Sequence, residues 1–209
     1  MKKALFIFLV LSISLQSCFH YHAVYKRVDY AENQVYVFPV KFQKALYKTN
    51  IHFLNKDYSG MMFFKRMEVD QSLRVVFMSE FGLKFFDFEL RDNGDFQVKY
   101  ILDELNKETL IGVLEQDIKL LFPTSHLEKE KKYYYRKRKQ LYMEKYRVEK
   151  SRFYYFFDKN TKTVSRIEFS GSVFKKIKID LSEYREGIPN QIDIKHINLA
   201  LRLNLKWVK

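Results

Sequence analysis

Along most of this chain apolar and polar residues alternate one by one. In the stretch "SEFGLKFFDFEL" (79–90), Phe86, Phe88 and Leu90 fall on one side and Asp87 and Glu89 on the other, the mark of a strand with one buried face. "LRVVFMS" (73–79) and "LKFFDFEL" (83–90) make a hairpin around Glu80-Phe81-Gly82. Turn tips are ordinarily polar, so a phenylalanine at this tip asks for a reason. "IHFLN" (51–55) and "SGMMFFKRM" (59–67) are further strands, joined near Lys56-Asp57-Tyr58. Asn93-Gly94 is a short hairpin signal and leads into "FQVKYI" (96–101), with Phe96, Val98 and Tyr100 on one face. Before these, Pro39 interrupts the pattern, and Val40 to Leu46 fits a short helix or a first strand.

The period then changes. In "DELNKETLIGVLEQDIKLLF" (103–122), Leu110, Leu114, Ile118 and Leu121 share one helix face. Acidic residues lead this segment and Pro123 follows it. Next comes "HLEKEKKYYYRKRKQLYMEKYRVEK" (126–150), in which tyrosines interleave with Lys and Arg. It fits a solvated helix or a long hairpin, or else a patch that meets a membrane surface or an acidic partner. Alternation returns in "RFYYFFD" (152–158), "TVSRIEF" (163–169), "VFKKIKIDL" (173–181), "QIDIKHI" (191–197) and "LALRLNLKWV" (199–208). The predicted fold class is mainly β (α+β): one antiparallel sheet of about ten or eleven strands with one face solvated. So many one-face-apolar strands exceed what one amphipathic helix covers, so the sheet either closes on itself or leaves a cavity.

Composition agrees with a sheet. The chain has 20 Phe and 15 Tyr against 6 Gly and 3 Pro, and 47% of its residues are hydrophobic. A formal net charge of +13 points to nucleic acid, anionic lipid or an acidic protein as partner. Its one cysteine, Cys18, excludes an internal disulfide and a thiolate metal cluster.

The position of that cysteine narrows the choice. Lys2 and Lys3 precede an apolar run from Ala4 to Leu15 broken only by Ser12 and Ser14, the length of a signal-peptide core and too short to span a bilayer. Leu15-Gln16-Ser17-Cys18 resembles a bacterial lipobox, with Gln16 departing from the usual small or aliphatic residue. The resemblance implies cleavage before Cys18 and lipid on its thiol and new amino group, a covalent lipid and no other cofactor. Residues 1–17 are then a signal peptide, 18–34 a lipidated tether and 35–209 the folded domain, with 126–150 as a basic insert. Such a protein lives outside the cytoplasm, which removes nucleic acid as a partner. "FHYHAVYKRV" (19–28) has no acidic residue before Asp29, which favours an anchor facing the periplasm.

No catalytic pattern emerges. His20 and His22 lie in the tether, and His52, His126 and His196 are scattered, so no metal-ligand spacing appears. G-x-S-x-G, P-loop and G-x-G-x-x-G motifs are absent from the sequence. Asp103 and Glu104 open the helix, where its dipole accounts for them. The chain is expected not to be an enzyme and to hold no metal.

Three stretches carry a family resemblance. "VVFMSEFGLKFFDFEL" (75–90), "SEYREGIPNQIDI" (182–194) and "INLALRLNLKWVK" (197–209) resemble the LolA/LolB superfamily of lipoprotein carriers and receptors, the LolB receptors most of all. The likeness is one of alternation, and the basic insert departs from it. It implies a half-barrel whose concave apolar face is covered by helices. It also implies a monomer that takes lipoprotein acyl chains from a soluble periplasmic carrier into an apolar cavity and inserts them into the outer membrane. Phe81 and Gly82 match the family's protruding membrane-insertion loop. Cavity candidates are Phe86, Phe88, Leu90 and Val98 from the first strands and Leu110, Leu114 and Ile118 from the helix. Phe169, Ile179, Ile194, Leu201 and Leu203 supply the rest, and all twelve serve equally well as plain core. The rival expectation is an envelope structural or assembly lipoprotein that uses the same fold as a protein-interaction module through residues 132–147.

Overall fold

The computed structural model describes residues 25–28, 36–39, 41–123, 132–136, 141–158, 160–171 and 175–208. The expected signal peptide, Cys18, His20, His22 and His126 lie outside the described residues. The chain forms β1 (Lys26–Val28), β2 (Lys44–Phe53), β3 (Lys56–Arg66), β4 (Leu73–Met78), β5 (Lys84–Leu90) and β6 (Phe96–Ile101). A 3-10 turn (Asp103–Leu105) and helix α1 (Glu108–Leu121) follow. Then come β7 (Lys132–Arg136), β8 (Leu141–Val148), β9 (Ser151–Asp158), β10 (Val164–Ser170), β11 (Lys175–Ser182), β12 (Gln191–His196) and β13 (Leu201–Trp207).

All thirteen strands join one open sheet in the order β1-β7-β8-β9-β10-β11-β12-β13-β2-β3-β4-β5-β6. Two meanders, β2–β6 and β7–β13, are therefore welded where the last strand meets the second. β13 runs antiparallel to β2 from Leu201↔Phe53 to Trp207↔Tyr47. The result fits the half-barrel class that the resemblance implies, with more strands and fewer helices than expected. The additional strands come from two places. Residues 26–28 pair with β7, and the basic segment resolves into the hairpin β7–β8. β2 starts at Lys44, so 40–46 supplies the start of a strand rather than a helix, and the β2–β3 turn is Leu54–Asn55 rather than 56–58. α1 starts five residues later than 103, after the 3-10 turn.

The strands form because their side chains alternate between core and solvent. β2 and β13 do so residue by residue. Their inner residues Ala45, Tyr47, Ile51, Phe53, Leu201, Leu203 and Leu205 join one core with the inward residues of both meanders. α1 lies across this inner face and buries Leu110, Leu114, Ile118 and Leu121. Past its end, Phe122 stacks on Phe38 with centroids 4.4 Å apart.

β5 is buried on both sides, which the alternation alone does not predict. Its outward acids, Asp87 and Glu89, are covered by cations: Arg74 forks onto Asp87, Lys84 reaches Asp87 at 3.2 Å, and Lys99 and Arg91 reach Glu89 at 3.1 and 3.3 Å. Burial alone would push Asp87 up, but Arg74 and Lys84 hold its carboxyl below the ordinary range.

Two register shifts reset the pattern near the hairpin. One, between Phe77 and Met78, leaves Phe85 unpaired in the ladder, and its ring packs on Phe77 and edge-on to Tyr58. The other, between Asp87 and Phe88, pairs Tyr100 with Asp87 and Val98 with Phe88. Phe96, Val98 and Tyr100 therefore do not share a face, and Val98, on edge strand β6, is 41% exposed. Val98 is removed from the cavity set for that reason.

β3 approaches the end of β4 so closely that Gly60 has no room for a side chain; an added Cβ would overlap the Met78 carbonyl. Gly60→Ala is expected to destabilise the protein by about 1–3 kcal/mol, as overpacking does. The same change at Gly112, which faces open space on α1, should be neutral or stabilising. Urea melts of the two variants check the contrast.

Candidate functional site

Two features stand out on this frame: the contact between α1 and the inner face, and the rim of turns at one end of the sheet. Under α1 lies a cleft of about 20 Å³, room for little more than one water molecule. Of the cavity candidates, Phe86, Leu114, Ile118, Ile194 and Leu203 line it. Phe88, Leu90, Leu110, Phe169, Ile179 and Leu201 are buried in the surrounding core. An acyl chain is many times larger than this cleft, so the inner face is closed here by its own side chains. Access for such a chain requires α1 to move.

α1 is held from both flanks by polar contacts. Asp117, buried on the helix face, meets the buried His196 of β12, with Oδ1 and Nε2 3.1 Å apart. The other ring nitrogen of His196 lies 3.2 Å from the Leu201 carbonyl. Asp117 Oδ2 has no partner among the described residues, and Asp117 borders the cleft. On the other flank the Tyr155 hydroxyl donates to the Leu120 carbonyl at 3.0 Å, one of the carbonyls a helix end leaves open.

Burial pushes Asp117 above the ordinary carboxylate value, against the pull of His196. For His196 burial acts downward, but the hydrogen bond and charge of Asp117 outweigh it, and the net direction is upward. Both groups thus favour the proton. Nothing in the sequence marks this pair: its members are 79 residues apart, and neither lies in a motif.

The rim is built by antiparallel register. Phe53 pairs with both Lys56 and Leu201, which sets the turns 54–55 and 197–200 side by side. The Leu54 amide donates to the Ala200 carbonyl at 2.8 Å. The hairpin 79–83 projects from the same end of the sheet, and its Glu80 meets Lys48 of β2 at 3.4 Å. Phe81 stands at its tip, 100% exposed, with Leu83 52% exposed beside it. Its loop is braced. Gly82 adopts φ +85°, where glycine carries no Cβ penalty. The Ser79 and Leu83 backbones bond at 2.8 Å, and the Leu83 amide donates to Ser79 Oγ at 3.0 Å. Phe85, Phe77 and Tyr58 pack beneath.

Leu54, 48% exposed, and Ile197, 50% exposed, add apolar surface to this rim. Sequence reasoning passed over both, although an apolar residue in a turn is the same signal that marks Phe81. Leu54 also holds φ 55°, uncommon for a branched aliphatic residue. Exposure by itself does not define the rim: Val69 is exposed in the turn 67–72, but stands between Glu68 and Asp70. The Phe81 turn differs in carrying a second exposed apolar residue, Leu83, with Lys84 next to it in the chain.

Among the described residues, no group of three or more His, Cys, Asp or Glu could hold a metal ion, and no helix is long and apolar enough to cross a membrane. No family model matches the chain. No curated protein matches it. Among solved structures, a DUF1329 family protein from Desulfovibrio piger is similar at 13% sequence identity and a TM-score of 0.45, over 81% of this chain and 85% of that one. At that likeness no inference passes from one to the other.

The Asp117–His196 pair makes a pH prediction. A raised imidazole value means that the folded state holds its proton more tightly than the unfolded state. Its stabilising contribution is complete below the ordinary value of 6.5 and is lost as the pH rises through the raised one. The raised Asp117 value acts in the same direction above 3.8. The urea midpoint should therefore fall as the pH is raised from 6.5 upward. His196→Ala, which strands a buried carboxyl, should cost about 3 kcal/mol, whereas Asp117→Asn, which removes both the carboxyl and the charge that raises His196, should flatten that dependence.

Proposed function

We propose that this chain is a lipid-anchored, non-enzymatic receptor of the LolB kind. Attached at Cys18 to the periplasmic face of a bacterial outer membrane, it takes acyl chains of lipoproteins from a soluble carrier as a monomer. It holds them against the apolar face under α1 and passes them to the bilayer at the Phe81 rim. The observation that carries this reading is the fully exposed Phe81 on a braced hairpin, with Leu83 half exposed two residues on. An aromatic ring held out from a rigid rim enters the acyl region of a bilayer at little entropic cost.

Transfer needs no covalent step. Acyl surface leaves one apolar enclosure for another, driven by burial. The chain's strong positive charge would speed its encounter with an acidic carrier.

A second reading has its own observation. The cleft of about 20 Å³ is that of a filled core, which suits an envelope protein acting as an interaction module without lipid transfer.

The test uses the membrane-anchored protein and a carrier loaded with a triacylated lipoprotein. Removing a phenylalanine side chain from an apolar environment costs about 1.5–3 kcal/mol. Delivery into vesicles should therefore fall about tenfold or more in Phe81→Glu, with the melting temperature unchanged. Leu114→Ala, which widens the cleft at a cost of about 3 kcal/mol, should raise binding of a fluorescent fatty acid. If neither protein takes up lipid and native mass spectrometry finds none bound, the interaction-module reading stands instead.

A further inference from the structure

The outer face of β7–β9 carries a concentration of positive charge that the Phe81 rim does not explain. Register puts Arg147 opposite Arg152, and Lys145 opposite both Lys132 and Tyr154. The inward residues of these strands, Tyr146, Phe153 and Tyr155, are in the core, so the alternation turns Lys145, Arg147, Arg152 and Tyr154 outward. Like charges directly opposite on a sheet are unfavourable.

Elsewhere on this face the chain avoids that cost by pairing its cations with acids, as Arg166 and Lys178 do with Asp180, each at 2.6 Å. Among the described residues no carboxylate forms an ion pair with Lys145, Arg147 or Arg152. Arg147 Nε instead donates to the Glu149 carbonyl at 2.6 Å, and Lys145 Nζ lies 5.6 Å from the centroid of the Tyr154 ring. Burial and then Arg152, Lys132 and Arg147 depress the Lys145 ammonium below its ordinary value. Anion binding would relieve that repulsion.

Two further features specify the anion. Farther along the same face, Tyr25, Tyr134, Met143 and Phe156 make a small apolar cluster with Leu141 and Tyr154 packed on it, so cations border aromatic surface as they do in proteins that sit at a membrane interface. The ladder also carries the cluster to the rim. Arg152 pairs with Ser170, Ser170 with the backbone of Lys175, and Ile177 with His196. The β8–β9 turn therefore lies at the same end of the sheet as the turns 197–200, 54–55 and 79–83.

We infer that Lys145, Arg147 and Arg152, with Tyr154 beside them, dock this face on the phosphate headgroups of an anionic lipid surface. The inference rests on the membrane-facing reading of the Phe81 rim for its choice of lipid as the source of phosphate. The cluster fixes how the receptor sits on the bilayer, with the Phe81 hairpin at the acyl layer and the β8–β9 turn among the headgroups.

The experiment uses the full chain with Cys18→Ser and vesicles of phosphatidylcholine with and without phosphatidylglycerol. Residues 1–17 are present in every variant, so their own affinity cancels. A basic residue at an anionic surface is worth about fivefold in binding. The gain from phosphatidylglycerol should therefore fall on the order of 100-fold in Lys145→Gln/Arg147→Gln/Arg152→Gln, with an unchanged near-ultraviolet dichroism spectrum. An undiminished gain overturns the assignment. In the parent, which needs no substitution, salt should erase the gain, and its survival at high salt overturns the assignment as well. Binding of soluble tripolyphosphate through the three residues, with no gain from phosphatidylglycerol, reassigns the site to a free anion and also overturns it. Loss of acyl transfer with the vesicle gain intact would sink the receptor reading alone.

Discussion

The structure depends on keeping one continuous apolar surface from water. Among the described residues twelve of the thirteen strands contribute to that surface, and α1, at 14 residues, is far too small to cover it. The pairing of β13 with β2 answers the problem by making two meanders into a single curved sheet, whose inward residues then cover one another. Leu201, Leu203 and Leu205 are as fully withdrawn from solvent as residues under the helix. Non-local pairing of this sort is slow to form, because the ends of the chain must meet before it yields any stability.

How much of this is legible in the sequence follows from how local each cause is. Period-2 alternation is local, so the strands of both meanders can be read directly, and so can the helix from Leu110, Leu114, Ile118 and Leu121. The Phe81 turn is legible because a tip residue is judged against its immediate neighbours. Leu54 and Ile197 carried the same signal and were hidden because each sits at the end of an apolar run. The bulge at Asp87–Phe88 is invisible in a one-dimensional pattern, so Val98 and Tyr100 were placed on one face. Edge strand β1 exists only because β7 offers it a ladder. The Asp117–His196 pair depends on where a helix from the middle of the chain lands on a strand near its end.

That pair is instructive about α1. Apolar packing of a helix on a sheet is nearly indifferent to small rotations, since Leu and Ile find partners across a range of angles. A buried Asp facing a His tolerates no such range, because a rotation that parts them strands two polar groups in the core. The pair therefore gives up some of the stability that an apolar substitute would supply and fixes which face of α1 meets β12. Tyr155, bonded to the Leu120 carbonyl, fixes the same helix from the β9 side.

The closed cleft and the open rim are compatible within one lipid-handling cycle. A receptor whose cavity stood open would expose apolar surface to water whenever it was empty, and it would collapse or aggregate. Filling that space with its own side chains removes the exposure, and the resting state is then a packed core. An incoming acyl chain must replace those contacts with its own, so the net gain on capture is small even though the gross burial is large. A small net gain is also what release requires, because a chain held too firmly would never pass to the bilayer. The apolar residues at the rim stay exposed because they are few and ringed by charge. On the receptor reading proposed above, they would act only where a membrane supplies the apolar phase that the core supplies to every other phenylalanine of β4 and β5.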